Sequence, residues 1–195
     1  MAFEKIRPIL FSIFMLVVVV AVVFHTVPGA KAKKLAVQTG MTLPEVTLSG
    51  AKTAGIQEYL GIEHAEPFRL FQIQAKLLLI EFYSLYCPVC QKSAPKVNKL
   101  FKYVQGNSQL KDDIKMLGIA LTNKPFEVDM YRQKFKVKFP LFPDADKAIT
   151  DTLKIAWTPL MVLMDMEGKV LLAHYGEIKS PEEFIHKVQD IHKAL

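Results

Sequence analysis

Residues 76–101 read KLLLIEFYSLYCPVCQKSAPKVNKLF, and this stretch decides the fold. It begins with an apolar run of strand length, residues 77–83, and ends with apolar residues at helical spacing. Cys87 and Cys90 are the only two cysteines of the chain, and they lie between the two patterns. The sequence therefore predicts a strand that delivers two cysteines to the first turn of a helix.

This placement predicts redox chemistry at the cysteines. The backbone N–H groups in the first turn of a helix have no partner within the helix, and the helix dipole adds partial positive charge there. Both effects favour a thiolate over a thiol, and the thiolate is the reactive form. Because Cys90 follows Cys87 by about one helical turn, the two can close a disulfide. The pattern is typical of a dithiol that exchanges with other disulfides.

Two other uses of a cysteine pair fit this chain less well. A structural disulfide across so short a loop adds little stability, because it removes little loop entropy from the unfolded chain. A structural zinc site needs four ligands, whereas this pair supplies two, and none of the five histidines has ligand spacing near it. We therefore expect neither a metal nor a cofactor.

The N-terminal residues 1–32 have a separate character. Residues 9–27 are almost entirely apolar and follow two basic residues, which is typical of a signal peptide or a membrane anchor. The Ala30-Lys31-Ala32 pattern favours cleavage, whereas the length of the apolar run favours an anchor. Either way, we expect the rest of the chain to be exported. It would face the periplasm from the bacterial inner membrane, or be periplasmic or secreted after cleavage.

The remaining patterns predict a polar linker over residues 33–42 and one α/β domain over residues 43–195. The predicted strands are residues 45–48, 68–73, 77–83, 114–121, 160–165 and 169–175, with an extended stretch at 139–144. The predicted helices are about 88–104, 125–135, 145–153 and 181 to the C-terminus, with a helical turn near 56–60. The strand at 77–83, its helix and the strand at 114–121 form a β–α–β unit, so the two strands should be parallel.

This order of elements, with the cysteines after the first long strand, resembles the thioredoxin fold. Within that fold the chain looks most like the exported TlpA/ResA-type thiol–disulfide oxidoreductases. The resemblance covers roughly residues 43–195 and implies a central mixed sheet flanked by helices. The motifs that carry it are Tyr86-Cys87-Pro88-Val89-Cys90, Phe139-Pro140 with Pro143-Asp144, Trp157-Thr158-Pro159 and Asp165-Met166-Glu167-Gly168.

The resemblance implies a role for each residue near the cysteines. Cys87 would be the attacking nucleophile and Cys90 the resolving thiol, with a redox-active disulfide between them. Thr158-Pro159 resembles the cis-proline of the family, where the residue before proline pairs with an extended partner segment. Tyr86 replaces the usual tryptophan as an apolar platform. Trp157 is expected to face the partner, and packing in the core is its alternative role.

Glu81 is a charged residue in the middle of the first long strand. It lies six positions before Cys87, where thioredoxins carry a buried aspartate that serves proton transfer at Cys90. TlpA/ResA-type proteins often have a glutamate just after the cysteine pair instead, and that position is Ser93 here. We expect Glu81 to act as the thioredoxin-like acid. The alternative is that it reaches the sheet edge or pairs with a lysine such as Lys115.

The predicted function is disulfide exchange with extracytoplasmic proteins. The resemblance implies reduction, for example of apocytochrome c before haem attachment, and a membrane electron donor or acceptor. If residues 9–27 are not cleaved, the membrane itself is a partner. The net charge of +6 is spread along the chain, so we expect no nucleic-acid partner.

The same fold also supports two other functions, which this sequence fits less well. A peroxiredoxin-like peroxidase needs a Pro-x-x-x-Thr-x-x-Cys loop, but Ile80 and Ser84 occupy the proline and threonine positions before Cys87. A copper-binding or copper-delivery module usually separates its cysteines by three residues and adds a distal histidine, whereas this chain has two intervening residues. Copper titration compared with a disulfide-exchange assay separates the copper module from the oxidoreductase.

Overall fold

The computed structural model describes residues 36–195, which form a mixed sheet covered by helices on both faces. The strands are β1 (Thr47–Leu48), β2 (Phe68–Arg69), β3 (Leu77–Tyr83), β4 (Ile114–Leu121), β5 (Leu141–Asp144), β6 (Leu160–Asp165) and β7 (Val170–Tyr175). The helices are α1 (Ala54–Leu60), α2 (Pro88–Gly106), α3 (Pro125–Phe135), α4 (Ala148–Leu153) and α5 (Pro181–Lys193). The predicted α/β class with a central mixed sheet is confirmed.

Strand β3 is the centre of the five-stranded sheet, whose order is β5-β4-β3-β6-β7. It pairs in parallel with β4 and antiparallel with β6, so it has a neighbour on each side. All seven of its residues are buried, which explains the nearly continuous apolar run in the sequence. The remaining pairs are β4 with β5, which are parallel, and β6 with β7, which are antiparallel.

Side chains of β3 alternate between the two faces of the sheet. Leu78, Ile80 and Phe82 pack in the core beneath α1, α4 and the small antiparallel ribbon β1–β2. The residues between them face a second core, to which α2, α3 and α5 contribute. By this alternation Glu81 lies on the α2 side of the sheet, which is the side that holds Cys90.

The predicted bounds of β3, β4, α3 and β6 agree with the structure, whereas β1 and β5 start two residues later than predicted and β7 starts one residue later. The strand predicted over 68–73 stops at Arg69, because residues Leu70–Gln72 turn into a 3-10 helix. Helix α2 continues to Gly106, and α4 starts three residues late, at Ala148. The Asp144 carboxylate explains the late start, because it accepts hydrogen bonds from the backbone N–H groups of Ile149 and Thr150, both at 2.9 Å.

The first described residues lie along β7. The Gly40 N–H donates to the Val170 carbonyl at 2.8 Å, and the Val170 N–H donates to the Met41 carbonyl at 2.7 Å. Val37 and Leu43 bury their side chains in the core. Several residues that the sequence assigns to a linker over 33–42 are therefore packed on the domain.

The apolar stretch at residues 9–27 lies outside the described residues. Within residues 36–195, the structure contains no helix with both the length and the apolar character needed to cross a membrane.

Replacing Gly118 with alanine should destabilise the domain. A Cβ atom there would lie 2.5 Å from Leu141 Cδ2 and 3.1 Å from Tyr83 Cε1, so the packed side chains would have to move. We expect Gly118→Ala to lower the free energy of unfolding by about 1–3 kcal/mol. Denaturant unfolding measures this, with Gly106→Ala as a matched control, because a Cβ at Gly106 meets no atom within 4 Å. Equal losses in both variants would contradict the packing argument.

Candidate active site

Cys87 is the residue that caps the N-terminus of α2. Its Sγ accepts a hydrogen bond from the Cys90 N–H at 3.1 Å. The same sulfur lies 3.5 Å from the Thr158 carbonyl oxygen, to which the thiol donates. Pro88 follows at the first helical position, where the missing N–H costs no hydrogen bond. The half-buried sulfur thus lies at the N-terminus of a helix, within hydrogen-bond distance of one backbone N–H and one backbone carbonyl.

Cys90 differs from Cys87 in burial. Its side chain has no solvent exposure, and both cysteines are free thiols in this structure. Burial, followed by the hydrogen bond with Cys87, raises the pKa of the Cys90 thiol to about 12. The two thiols therefore differ in their surroundings, since Cys87 is partly open to solvent and Cys90 is enclosed.

The Thr158–Pro159 peptide is cis, as predicted. The Pro159 carbonyl accepts a hydrogen bond from the Gly176 N–H at 2.8 Å, which ties this loop to the end of β7. Pro159 is buried, and the Thr158 carbonyl faces the Cys87 sulfur. The structure therefore brings Thr158 and Pro159 together with the cysteines, although they are about 70 residues apart in the sequence.

Tyr86 and Trp157 are the aromatic residues next to these two loops. Tyr86 is 68% exposed and Trp157 is 57% exposed. The alternative role of Trp157, packing in the core, is therefore wrong. Val89, between the two cysteines, is also exposed. Each loop of the site thus presents an exposed apolar side chain to solvent, as a surface that contacts a polypeptide would.

Glu81 is buried beneath the cysteine-bearing helix. It is 1% exposed, and its Oε1 has no hydrogen-bond partner among the described residues. Burial raises the pKa of its carboxyl to about 8. Neither alternative for Glu81 holds, because the side chain does not reach solvent and Lys115 donates instead to the Lys111 carbonyl at 3.2 Å.

Other buried polar groups surround Glu81 on the same face of the sheet. The rings of Tyr83 and Tyr131 lie 4.3 Å apart, and the Tyr131 hydroxyl donates to the Cys90 carbonyl at 3.2 Å. Burial raises the pKa of both phenols, and the charge of Glu81 raises each further. Tyr83 OH and Ser93 Oγ are buried without a hydrogen-bond partner in the described part of the chain. Polar groups that can hold or pass a proton therefore lie on the inner side of Cys90.

Two residues of the site were missed by the sequence reasoning. Asn123 Oδ1 accepts a hydrogen bond from the Leu85 N–H at 2.8 Å, and the Glu127 carboxylate accepts one from the Tyr86 hydroxyl. Glu127, three residues after Lys124, matches a capping box, which signals a helix start. That signal locates the start of α3 but contains no information about Tyr86.

No group of three or more His, Cys, Asp or Glu side chains within residues 36–195 is arranged to hold a metal ion. The chemistry that these residues offer is that of two thiols, a buried carboxyl and a backbone carbonyl beside the exposed sulfur.

The raised pKa of Glu81 should make stability depend on pH. The folded protein holds this proton up to about pH 8, whereas an unfolded glutamate loses it near its ordinary value of 4.5. Stability from this group should therefore fall as pH rises from about 4.5 to about 8 and then level off. Denaturant unfolding at several pH values should show a flatter profile for Glu81→Gln than for the unaltered protein. Parallel profiles would show that the buried carboxyl does not titrate in this range.

Solved structures with the same fold include several oxidoreductases. The thioredoxin domain of a thiol-disulfide oxidoreductase from Bacteroides vulgatus matches with a TM-score of 0.59 and 17% identity, over 80% of this chain and 98% of that one. StoA from Bacillus subtilis matches with a TM-score of 0.56 and 14% identity, over 74% of this chain and 96% of that one. At such identities the matches show a shared thioredoxin-like fold.

Sequence comparison identifies the family. The thiol-disulfide oxidoreductase ResA of Geobacillus thermodenitrificans is 23% identical over 164 residues, which cover 84% of each chain. The family model described as Redoxin matches residues 38–195, nearly the whole region that the structure describes. The chain therefore belongs to the Redoxin family and is a thiol–disulfide oxidoreductase.

Proposed function

We propose that this protein reduces disulfides of extracytoplasmic proteins through Cys87 and Cys90. The observation that supports this most is the hydrogen bond from the Cys90 N–H to the Cys87 sulfur, beside the Thr158 carbonyl. It places one partly exposed sulfur where an incoming disulfide can reach it, and a second, buried sulfur one turn behind it. The reductive direction comes from the resemblance to ResA-type proteins.

The proposed reaction has two exchange steps. The Cys87 thiolate attacks one sulfur of the partner's disulfide, which forms a mixed disulfide and releases the partner's other sulfur as a thiolate. Cys90 then gives up its proton and attacks the Cys87 sulfur. This second step forms the Cys87–Cys90 disulfide and releases the partner as a dithiol. Two electrons pass to the partner, so a membrane electron donor must reduce the enzyme's disulfide before the next cycle.

Glu81 is the proposed proton acceptor for Cys90. The pKa of the carboxyl is raised to about 8 and that of the thiol to about 12, both chiefly by burial. An ionised carboxylate in the same buried region can take the thiol proton without exposing either group to solvent. No other carboxylate side chain of β3 or α2 could serve, since Glu81 is the only acidic residue in these two elements.

The partner is proposed to dock as an extended segment across the cis-proline loop. The backbone of Thr158 would pair with the segment and hold its disulfide against Cys87. Tyr86, Val89 and Trp157 provide exposed apolar contacts on either side of the sulfur. This arrangement suits partners of varied sequence, because backbone pairing carries little sequence information.

We further propose that residues 9–27 direct the domain out of the cytoplasm, as an inner-membrane anchor or as a cleaved signal peptide. The domain would then act in the periplasm, and apocytochrome c is the proposed example of a substrate. Fractionation of cells that express the full chain, followed by mass determination of its N-terminus, distinguishes an anchor from a cleaved signal.

Trapping of partners tests the roles of the two cysteines. Cys90→Ala should accumulate covalent adducts through Cys87, because the resolving step is lost, whereas Cys87→Ala should form few. Non-reducing electrophoresis followed by mass spectrometry measures the adducts and identifies the partners. Equal trapping by both variants would reverse or remove the assignment of nucleophile and resolving thiol.

Replacing Glu81 tests the proposed proton transfer. Glu81→Gln should slow release of the partner from Cys87 on the order of 100-fold, the size of a typical acid–base contribution. In the unaltered protein this rate should rise with pH through about 8 as the carboxyl ionises, and the variant should lose that rise. Stopped-flow measurement with a disulfide-containing peptide follows the step. Glu58→Gln, on the exposed surface of α1, is the control. An unchanged pH profile would leave Glu81 with a structural role alone.

A further inference from the structure

Tyr86 combines high exposure with a fixed hydroxyl. The side chain is 68% exposed, yet its hydroxyl donates a hydrogen bond to Glu127 Oε1, in the first turn of α3. An exposed aromatic side chain that only covered the surface would need no such partner. The backbone of Tyr86 lies directly before Cys87, and its hydroxyl is hydrogen-bonded to a different helix, α3. The side chain is therefore fixed at both of its ends.

Glu127 is itself held firmly. It is 7% exposed, and its second carboxylate oxygen, Oε2, accepts hydrogen bonds from the Lys124 N–H at 2.6 Å and from Asn123 Nδ2 at 3.4 Å. The hydrogen bond from Tyr86 and the one from Lys124 lower the pKa of the carboxyl, so it stays ionised. The same contact with Glu127 raises the pKa of the Tyr86 phenol. A charged acceptor makes this a strong hydrogen bond.

The backbone of the turn before Cys87 is held by the same cluster. Asn123, which has no solvent exposure, accepts the Leu85 N–H at 2.8 Å. The Leu85 carbonyl accepts a hydrogen bond from Gln91 Nε2 at 2.7 Å, which comes from α2. Backbone and side chain of this turn are thus bound to the end of β4, to α2 and to α3.

We infer that Glu127 is a positioning residue that fixes the Tyr86 ring beside Cys87, ready for a docking partner. This rests on the proposed function and extends it to the recognition of the partner. Glu127 bonds to Tyr86, Asn123 and Lys124 and to neither sulfur, so its effect passes through Tyr86. If the Tyr86 ring is already fixed, no free energy is spent on ordering it when a partner binds. The free energy of ordering one side chain is large enough to change the affinity. Loss of the hydrogen bond between Tyr86 and Glu127 should therefore weaken binding of the partner more than it slows the disulfide-exchange steps.

The test is a double-mutant cycle on the kinetics of disulfide reduction. Tyr86→Phe removes only the hydroxyl, and Glu127→Gln removes the charge of its acceptor. With a peptide that contains one intramolecular disulfide, each variant should raise KM by about 3- to 10-fold, and kcat should change less than KM. The double variant should raise KM no further than the stronger single variant, since both substitutions act on the same contact. Tyr103→Phe removes the hydroxyl of another exposed tyrosine, one that accepts from Gln189, and is the matched control.

A spectroscopic measurement tests the contact itself. The tyrosinate absorbance that disappears in Tyr86→Phe belongs to Tyr86, and its titration should move to lower pH in Glu127→Gln. Additive effects of the two substitutions on KM would overturn the inference, as would a Tyr86 titration that is the same with and without the Glu127 carboxylate. Disulfide exchange by the unaltered protein would still support the proposed function in either case. If the unaltered protein reduced no disulfide, the proposed function would fail, and the titration would still decide whether Glu127 holds Tyr86.

Discussion

The hydrogen bond from the Cys90 N–H to the Cys87 sulfur is the interaction on which the active site depends. It exists because α2 begins directly after the turn that follows β3, so that Cys87 becomes the cap of the helix. A capping oxygen at this position would only stabilise the helix. A capping sulfur accepts the same N–H donor and also places a thiol at the start of the helix. One contact thus caps α2 and fixes the position of the Cys87 sulfur.

Burial also makes the Cys87 and Cys90 thiols different, although the two groups are chemically identical. The sheet and helices enclose Cys90 and Glu81, while Cys87 stays at the surface. Burial disfavours charge on both enclosed groups, which brings the carboxyl's pKa close to the range in which it can exchange protons at neutral pH. Burying a charged side chain in β3 would cost free energy of folding. The raised pKa of Glu81 keeps this carboxyl neutral below about pH 8, which avoids the cost of a buried charge.

The sequence was sufficient to predict the elements that depend on local pattern. The bounds of β3, β4, α3 and β6 follow from apolar period and from prolines at helix starts, and the cysteine pair marked the site. Contacts between distant segments were not predictable in the same way. Glu127 lies 41 residues from Tyr86, and nothing in the spacing links them. The hydrogen bond from the Val37 N–H to the Tyr175 hydroxyl at 3.0 Å was missed for the same reason, since nothing in this polar, lysine-bearing segment indicates that Val37 is buried.

The segment along β7 also affects how the molecule behaves among its own copies. A sheet edge with free backbone groups invites a strand from another chain, which leads to aggregation. The Val170 N–H and carbonyl on one edge are already occupied by residues 40–41. On the other edge, β5 is four residues long and contains Pro143, which has no N–H to offer, and the Arg132 guanidinium donates to the Leu141 carbonyl at 3.5 Å. Both edges of the sheet are thus poor templates for a further strand, a useful property for a protein that is proposed to bind extended segments of other chains.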